Sequence, residues 1–433
     1  MPSMIGVSIL CLALAPLPLQ AAPKATKPSA RPIVQQVIPP KTVYWMSAAT
    51  QSGFGVGGKA PSAGDMMKMA MGGGSAGPMK LLNLDLGSKL PPAGPPTAQH
   101  FIPPAMTMGT ALALKTPKKI VGTTAEPGDF ERPKGRLLLF WGCGDTARPG
   151  QPVVFDFAKM AAGQVPAGLF GGEQVRIARG PSQSSWPTYG YWPNDDRGSR
   201  QSVPGDASLV GAHRVAGNYT PEIAFNLATD WMQGLDLRQA KLPSGALDLS
   251  WNGIPGTTAH FAQMMGAGGT GNEADGATIV FWSSSDSSTF VSGLSDYIAP
   301  AEAARLVGRK QLLPPAQTNC TIPKEAMAAA PTGLLTLVAH GPEENFVHPP
   351  RPADPKVPWV QDWTVKARYV SRTGGIAGMD MSAMGGSSSR RGKKGKPACQ
   401  PNASDAMAEG LGGAVGGALG SMFGKKKKQP DCE

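Results

Sequence analysis

Four large aromatic side chains, Trp186, Tyr189, Tyr191 and Trp192, fall within one short stretch, and Asn194, Asp195, Asp196 and Arg197 follow directly. Aromatic rings offer flat surfaces on which a sugar ring can stack, while amide, carboxylate and guanidinium groups hydrogen-bond its hydroxyls. Residues 186–197 are therefore a candidate saccharide-binding platform. They sit in a Ser-, Gly- and Pro-rich loop, so the same aromatics can instead pack on one another and cap a hydrophobic core.

Two other groups of residues carry potential chemistry. Met66, Met67, Met69, Met71 and Met79 crowd one Gly-rich stretch, and Met379, Met381 and Met384 another. Soft thioethers suit Cu(I) in an oxidising compartment, and these stretches resemble the Met-rich segments of periplasmic copper-handling proteins. Histidine is scarce beside them, and drift in composition produces such runs equally well. Among the five histidines (His100, His213, His260, His340 and His348) there is no HxH or HExxH pair. His340 and His348 flank Glu343 and Glu344, a spacing open to acid/base or metal chemistry but also to a solvated loop. No nucleophile elbow or P-loop is present, and the Gly-rich runs lack the following helix that a phosphate cradle needs. The expectation is a non-enzyme with no cofactor.

Composition narrows the class. The 433 residues hold 56 Gly and 43 Pro, and only 16% are charged. Short apolar runs spaced by turn residues are the pattern of an all-β chain. Net charge is +11, but the basic excess lies in the flanks, before about residue 135 and after about 372. Nucleic-acid binding would need a basic face on a folded module. The flanks suit an envelope glycan or an anionic membrane surface better.

Residues 1–22 are uncharged, with an apolar core of the length of a secretory signal and small residues near Ala21 and Ala22. Export to the periplasm or cell surface is the expectation. Four cysteines remain beyond that segment, and the simplest of their three possible pairings is Cys143 with Cys320 and Cys399 with Cys432.

The stretch 244–286 is the centre of the element plan. Leu247, Leu249 and Trp251 alternate with Asp248 and Ser250, as a strand with one buried face does. Gly253-Ile254-Pro255-Gly256 turns the chain, an apolar run follows from Ala259, and Thr278–Trp282 makes a further strand. LSWNGIPGTTAHF resembles the second-to-third strand segment of fibronectin type III and related immunoglobulin-like modules. Trp251 matches their core Trp and Pro255-Gly256 their turn, and either His260 or Phe261 takes the place of the next strand's aromatic. That resemblance implies a β-sandwich and no particular activity.

Strands are also expected at 82–86, 136–141, 152–157, 174–177, within 208–227, at 333–340 and at 363–369, with one helix over 296–307. LLLFWGCGD (137–145) echoes TIVFWSSSD (278–286), as two related tandem modules would, although convergence on strand ends gives the same match. The predicted plan is a signal at 1–22, a mostly disordered arm at 23–99, two tandem immunoglobulin-like sandwiches at 100–238 and 239–372, and a disordered basic tail at 373–433. In that tail Gly412, Gly416, Gly420 and Gly424 recur every fourth residue before Lys425–Lys428, a spacing that suits close helix contact in lipid. The function expected first is non-catalytic scaffolding or adhesion. Saccharide or peptidoglycan binding through 186–197 comes second, and Cu(I) sequestration third.

Overall fold

A computed structural model of the chain describes residues 34–53, 78–117, 135–161, 174–194, 202–268, 277–288 and 293–379. The first strands are β1 (Val37–Ile38), β2 (Thr42–Gly53), β3 (Met79–Ser88), β4 (Ala98–Phe101) and β5 (Ala111–Leu114). Then come β6 (Gly135–Trp141), β7 (Val153–Asp156), helix α1 (Phe157–Ala161), β8 (Thr188–Trp192), β9 (Gly211–Gly217), β10 (Thr220–Leu227) and β11 (Leu237–Lys241). The last third holds β12 (Leu247–Trp251), β13 (Ala259–Gly268), β14 (Ala277–Ser283), α2 (Pro300–Gly308), β15 (Asn319–Ile322) and α3 (Lys324–Ala329). It ends with β16 (Gly333–His348), β17 (Trp359–Val360) and β18 (Trp363–Ala377). The described residues are thus mostly strands in several sheets with few helices, as the turn-spaced apolar runs imply.

The largest sheet has nine strands in the order β7-β6-β14-β13-β16-β18-β2-β3-β8. Its neighbours are antiparallel except for β6 with β14 and β2 with β18. Side-chain alternation gives it two faces of different kind. One face presents Tyr44 and Met46 of β2, Leu82, Leu84 and Leu86 of β3, Leu335 and Leu337 of β16, and Val365 and Tyr369 of β18. These pack in one continuous cluster with a four-stranded sheet, β10-β9-β4-β5, and a three-stranded sheet, β11-β12-β15. The architecture is two-layered, a wide sheet with two small sheets side by side on one face.

The opposite, outer face is covered in patches. Ala259 and Phe261 of β13 lie under α2 through Ala303 and Leu306. Leu139, Trp141, Phe155 and Phe281 form a second patch, and Ala49, Val338 and Val370 a third. β6 reads as an unbroken apolar run because both its faces are covered.

Several expectations change here. The boundary near residue 238 does not divide the sheet, since β6 pairs along its length with β14 and the core cluster runs through both expected modules. The arm at 23–99 supplies β2 and β3, both inside the nine-stranded sheet. β18, expected as a strand over 363–369, is central in the sheet and continues to Ala377, past the expected start of the tail at 373. The echoing segments are side-by-side parallel strands: Leu137 pairs with Ile279 and Phe140 with Trp282, one residue away from the echo's own alignment. Residues equivalent in the echo therefore face opposite sides, Phe140 and Trp282 the main core and Phe281 and Trp141 an outer patch. Residues 174–177, expected as a strand, run irregularly past α2, where the Arg176 amide donates to Glu302 at 2.8 Å. β4 forms between the prolines of 91–104 as four residues flanked by β9 and β5.

The turn at Pro255-Gly256, with Gly256 at φ +78°, carries the chain from the small sheet (β12) into the large one (β13). Trp251 meets His260 edge-on at 5.4 Å between centroids, while Phe261 faces the other side. Cys143, just beyond β6, is bonded to Cys320 of β15, with Cα atoms 5.1 Å apart, and this ties the large sheet to the three-stranded one. Cys399 and Cys432 lie outside the described residues, as do 1–22 and the Gly-repeat segment.

Candidate functional site

β8 is the edge strand that continues the sheet past β3, and period-two alternation splits the aromatic run between its faces. Trp192, 2% exposed, points into the core, whereas Tyr189 and Tyr191 stand half-buried on the outer face. Their rings stack at 6.0 Å with planes 4° apart. A β-carbon on Gly190 would meet the Tyr219 hydroxyl at 2.3 Å, so the residue between the two tyrosines must be small.

Strand register sets what faces these tyrosines. Lys366, Trp45, Asp85 and Tyr191 are successive partners across β18, β2, β3 and β8. One step along lie Arg368, Ser47 and Asn83. The result is a polar cleft of about 360 Å³ lined by Ser47, Asn83, Asp85, Tyr191, Tyr297 and Arg368, with Trp192 and Pro193 at its rim.

The segment before β8 folds over one side of this face. A β-carbon on Gly87 would lie 2.6 Å from the Trp186 ring, and one on Gly180 would lie 3.0 Å from Trp45. Both glycines let the loop approach the sheet closely. Trp186 also carries the Lys89 ammonium 5.7 Å from its centroid.

The Arg368 guanidinium is held between two rings, 4.7 Å from the centroid of Trp45 and 4.3 Å from that of Tyr297. Its Nε donates to Ser47 Oγ at 2.7 Å and its Nη1 to the Ala178 carbonyl at 3.3 Å. Arg372 lies 5.0 Å from the Tyr297 centroid. Across the cleft the Tyr189 hydroxyl donates to Asp85 Oδ1 at 2.6 Å. Burial raises the Asp85 pKa above its ordinary value, partly offset by the Tyr189 hydrogen bond and by Arg368. The Tyr189 phenol is raised by burial first and then by Asp85. Donors, acceptors and an aromatic wall thus converge on one concavity, the make-up of a site for a polyhydroxylated ligand.

The residues singled out in the sequence divide clearly. Tyr189 and Tyr191 flank the cleft, Trp186 packs on Gly87, and Trp192 belongs to the core. The Asn194 amide donates to the Ala113 carbonyl at 3.0 Å, which fastens the end of β8 to β5. Asp195, Asp196 and Arg197 lie outside the described residues. So do Met66, Met67, Met69, Met71, Met381 and Met384, whereas Met79 begins β3 and the Met379 carbonyl accepts from Gln239 at 3.3 Å. Asp85, Asn83, Ser47, Trp45, Tyr297 and Arg368 were not singled out. Except for Tyr297, which lies outside the strands, they alternate with core positions in three strands, β2, β3 and β18, and they become a site only once the register is known.

His340, His348 and the two carboxylates between them have separate partners or surroundings. Glu343 is ion-paired to Lys366 at 2.5 Å. Glu344 accepts from the Ala228 and Thr229 amides and from Tyr369, so both carboxylates have structural roles. His340 is buried, while His348 stacks on Trp363 at 5.5 Å. A different pair meets in the core: Tyr44 donates to His100 Nδ1 at 2.5 Å, and His100 Nε2 lies 2.8 Å from His213 Nδ1. His213 Nε2 lies 2.7 Å from the Leu209 carbonyl. Because that carbonyl can only accept, the chain runs in one direction with both rings neutral: Tyr44 to His100 to His213 to Leu209. This network is sealed in the core and joins β2 to the four-stranded sheet. Among the described residues no group of three or more His, Cys, Asp or Glu is placed to hold a metal ion.

No protein family, curated protein or solved structure matches the chain.

Proposed function

We propose that this protein is an exported, non-catalytic binding protein of the cell envelope, with the cleft beside β8 taking a saccharide unit. The observation that carries this reading is the convergence of the stacked Tyr189–Tyr191 pair with Asp85, Asn83, Ser47 and Arg368 around one open concavity. Rings set on strands lose little freedom on binding, and the polar groups are spaced to exchange water for hydroxyls. The Cys143–Cys320 disulfide supports an oxidising compartment, and the apolar run at 1–22 supports export. The three sheets sharing one core support a rigid scaffold, so anchoring or adhesion is the role in which such binding serves.

The test is co-sedimentation of the full chain with purified peptidoglycan and other insoluble envelope glycans, beside Tyr191→Ala. The variant is expected to weaken binding about 5- to 100-fold, the loss of one stacked ring, with its melting temperature little changed. Equal retention of both proteins, or of neither, overturns the reading. Trp192→Ala is not an equivalent test, because that ring is part of the core.

A further inference from the structure

Arg368 differs from the arginines that form ion pairs elsewhere in the molecule. Arg148, Arg214, Arg238 and Arg305 each reach a carboxylate within 3.1 Å. Arg368 lines the cleft with no carboxylate in ion-pair contact among the described residues, and its Nη2 donors are uncommitted there. The neighbouring Lys366 is neutralised by Glu343 at 2.5 Å. Arg372, near Tyr297 but not lining the cleft, donates to the Ser295 carbonyl at 3.2 Å. Asp85 is the one carboxylate lining the cleft, and one of its oxygens is taken by Tyr189. Arg368 Nη2 is thus the uncommitted cationic donor of the cleft, set against a single carboxylate whose Oδ1 is already occupied. A guanidinium held against two rings and hydrogen-bonded through Nε and Nη1 has already lost much of its rotamer freedom, so pairing it with an anion costs little further ordering.

Resting on the saccharide reading, we propose that the ligand is an acidic saccharide, one bearing a ring carboxylate, and that Arg368 is the residue that selects it. The sugar ring lies against Tyr191, its carboxylate accepts from Arg368 Nη2, and its hydroxyls meet Asp85 and Asn83. The basic flanks of the chain would add attraction that is long-ranged and unselective.

The experiment titrates the full chain with oligomers of galacturonate, glucuronate-containing oligosaccharide and mannuronate, each beside its carboxyl-reduced neutral counterpart. Arg368→Gln and Arg368→Lys are measured in parallel. The wild-type chain is expected to bind at least one acid form about 10- to 100-fold more tightly than its reduced counterpart, the range for a charge-assisted hydrogen bond. Arg368→Gln should abolish that preference, and Arg368→Lys should keep part of it. The comparison of acid with reduced ligand is made on the unaltered protein, so it stands even if Arg368→Gln fails to fold. Equal binding of acid and reduced forms overturns this proposal and leaves the saccharide reading intact. Binding of no saccharide of either charge overturns both. A preference for acid that survives unchanged in folded Arg368→Gln assigns selection to the flanks and overturns the role of Arg368.

Discussion

His100, His213, His260 and His340 are each no more than 2% exposed, and in each the dominant effect is burial, which lowers the pKa by penalising the imidazolium. His100 is lowered further by His213. For His213, the Leu209 carbonyl and Glu344 pull back upward, and for His260 the Pro314 carbonyl does so. His340 falls to about 3, with Arg372 and His260 adding to burial and the nearby Leu294 backbone opposing them. Neither of its ring nitrogens makes a well-formed hydrogen bond among the described residues. The sign follows from linkage. As pH falls below about 6.5 the unfolded chain takes up these protons first, so stability is lost from there down toward the folded-state values. Each buried histidine contributes up to about 1.4 kcal/mol per pH unit over that interval. Urea midpoints are therefore expected to drop markedly between pH 7.5 and 5.5. A flat midpoint across that range would mean the imidazoles are not sealed and neutral.

At the scale of elements, the informative segment is the one the sequence leaves among Pro-, Gly- and Met-rich residues. β3 is recognisable as a short apolar alternation over 82–86, but nothing local says that it and β2 sit between β18 and β8. Alternation tells which side chains share a face and is silent about which strand lies alongside. The neighbour here is far away in sequence: Trp45 pairs with Lys366, and Leu84 with Trp192. The same gap explains the two cross-strand rows of the cleft, one through Lys366 and one through Arg368, which come from strands separated by most of the chain. The aromatic run shows the complementary failure. Read as a loop, Tyr189, Tyr191 and Trp192 look equivalent, while strand parity sends Trp192 inward and the tyrosines outward. Helix α2 was legible from its first-turn proline and Glu302, whereas the short α3 was not. The placement of β3 has a direct consequence. Leu84, fully buried, should cost about 2–5 kcal/mol when replaced by alanine. Denaturant unfolding of Leu84→Ala reads this, and a change near zero would return the segment to a loose arm.

Taken whole, the molecule is a wide sheet backed on one face by two small ones, with the outer face left open where β18, β2, β3 and β8 meet. The all-β character was legible throughout, because apolar runs of strand length separated by Gly and Pro leave few alternatives. Tandem modules were not the outcome, because the parallel pairs β6–β14 and β2–β18 join strands across long stretches of chain that local patterning cannot connect. A cleft assembled from four such strands exists only when the whole sheet does. Hydrogen exchange of the full chain, with and without a saturating bound saccharide, tests this most directly. Protection is expected to concentrate in peptides covering 83–87, 189–193, 295–298 and 366–370. Protection confined to other surfaces, at a concentration where binding is measured independently, would contradict the assignment of this cleft as the site.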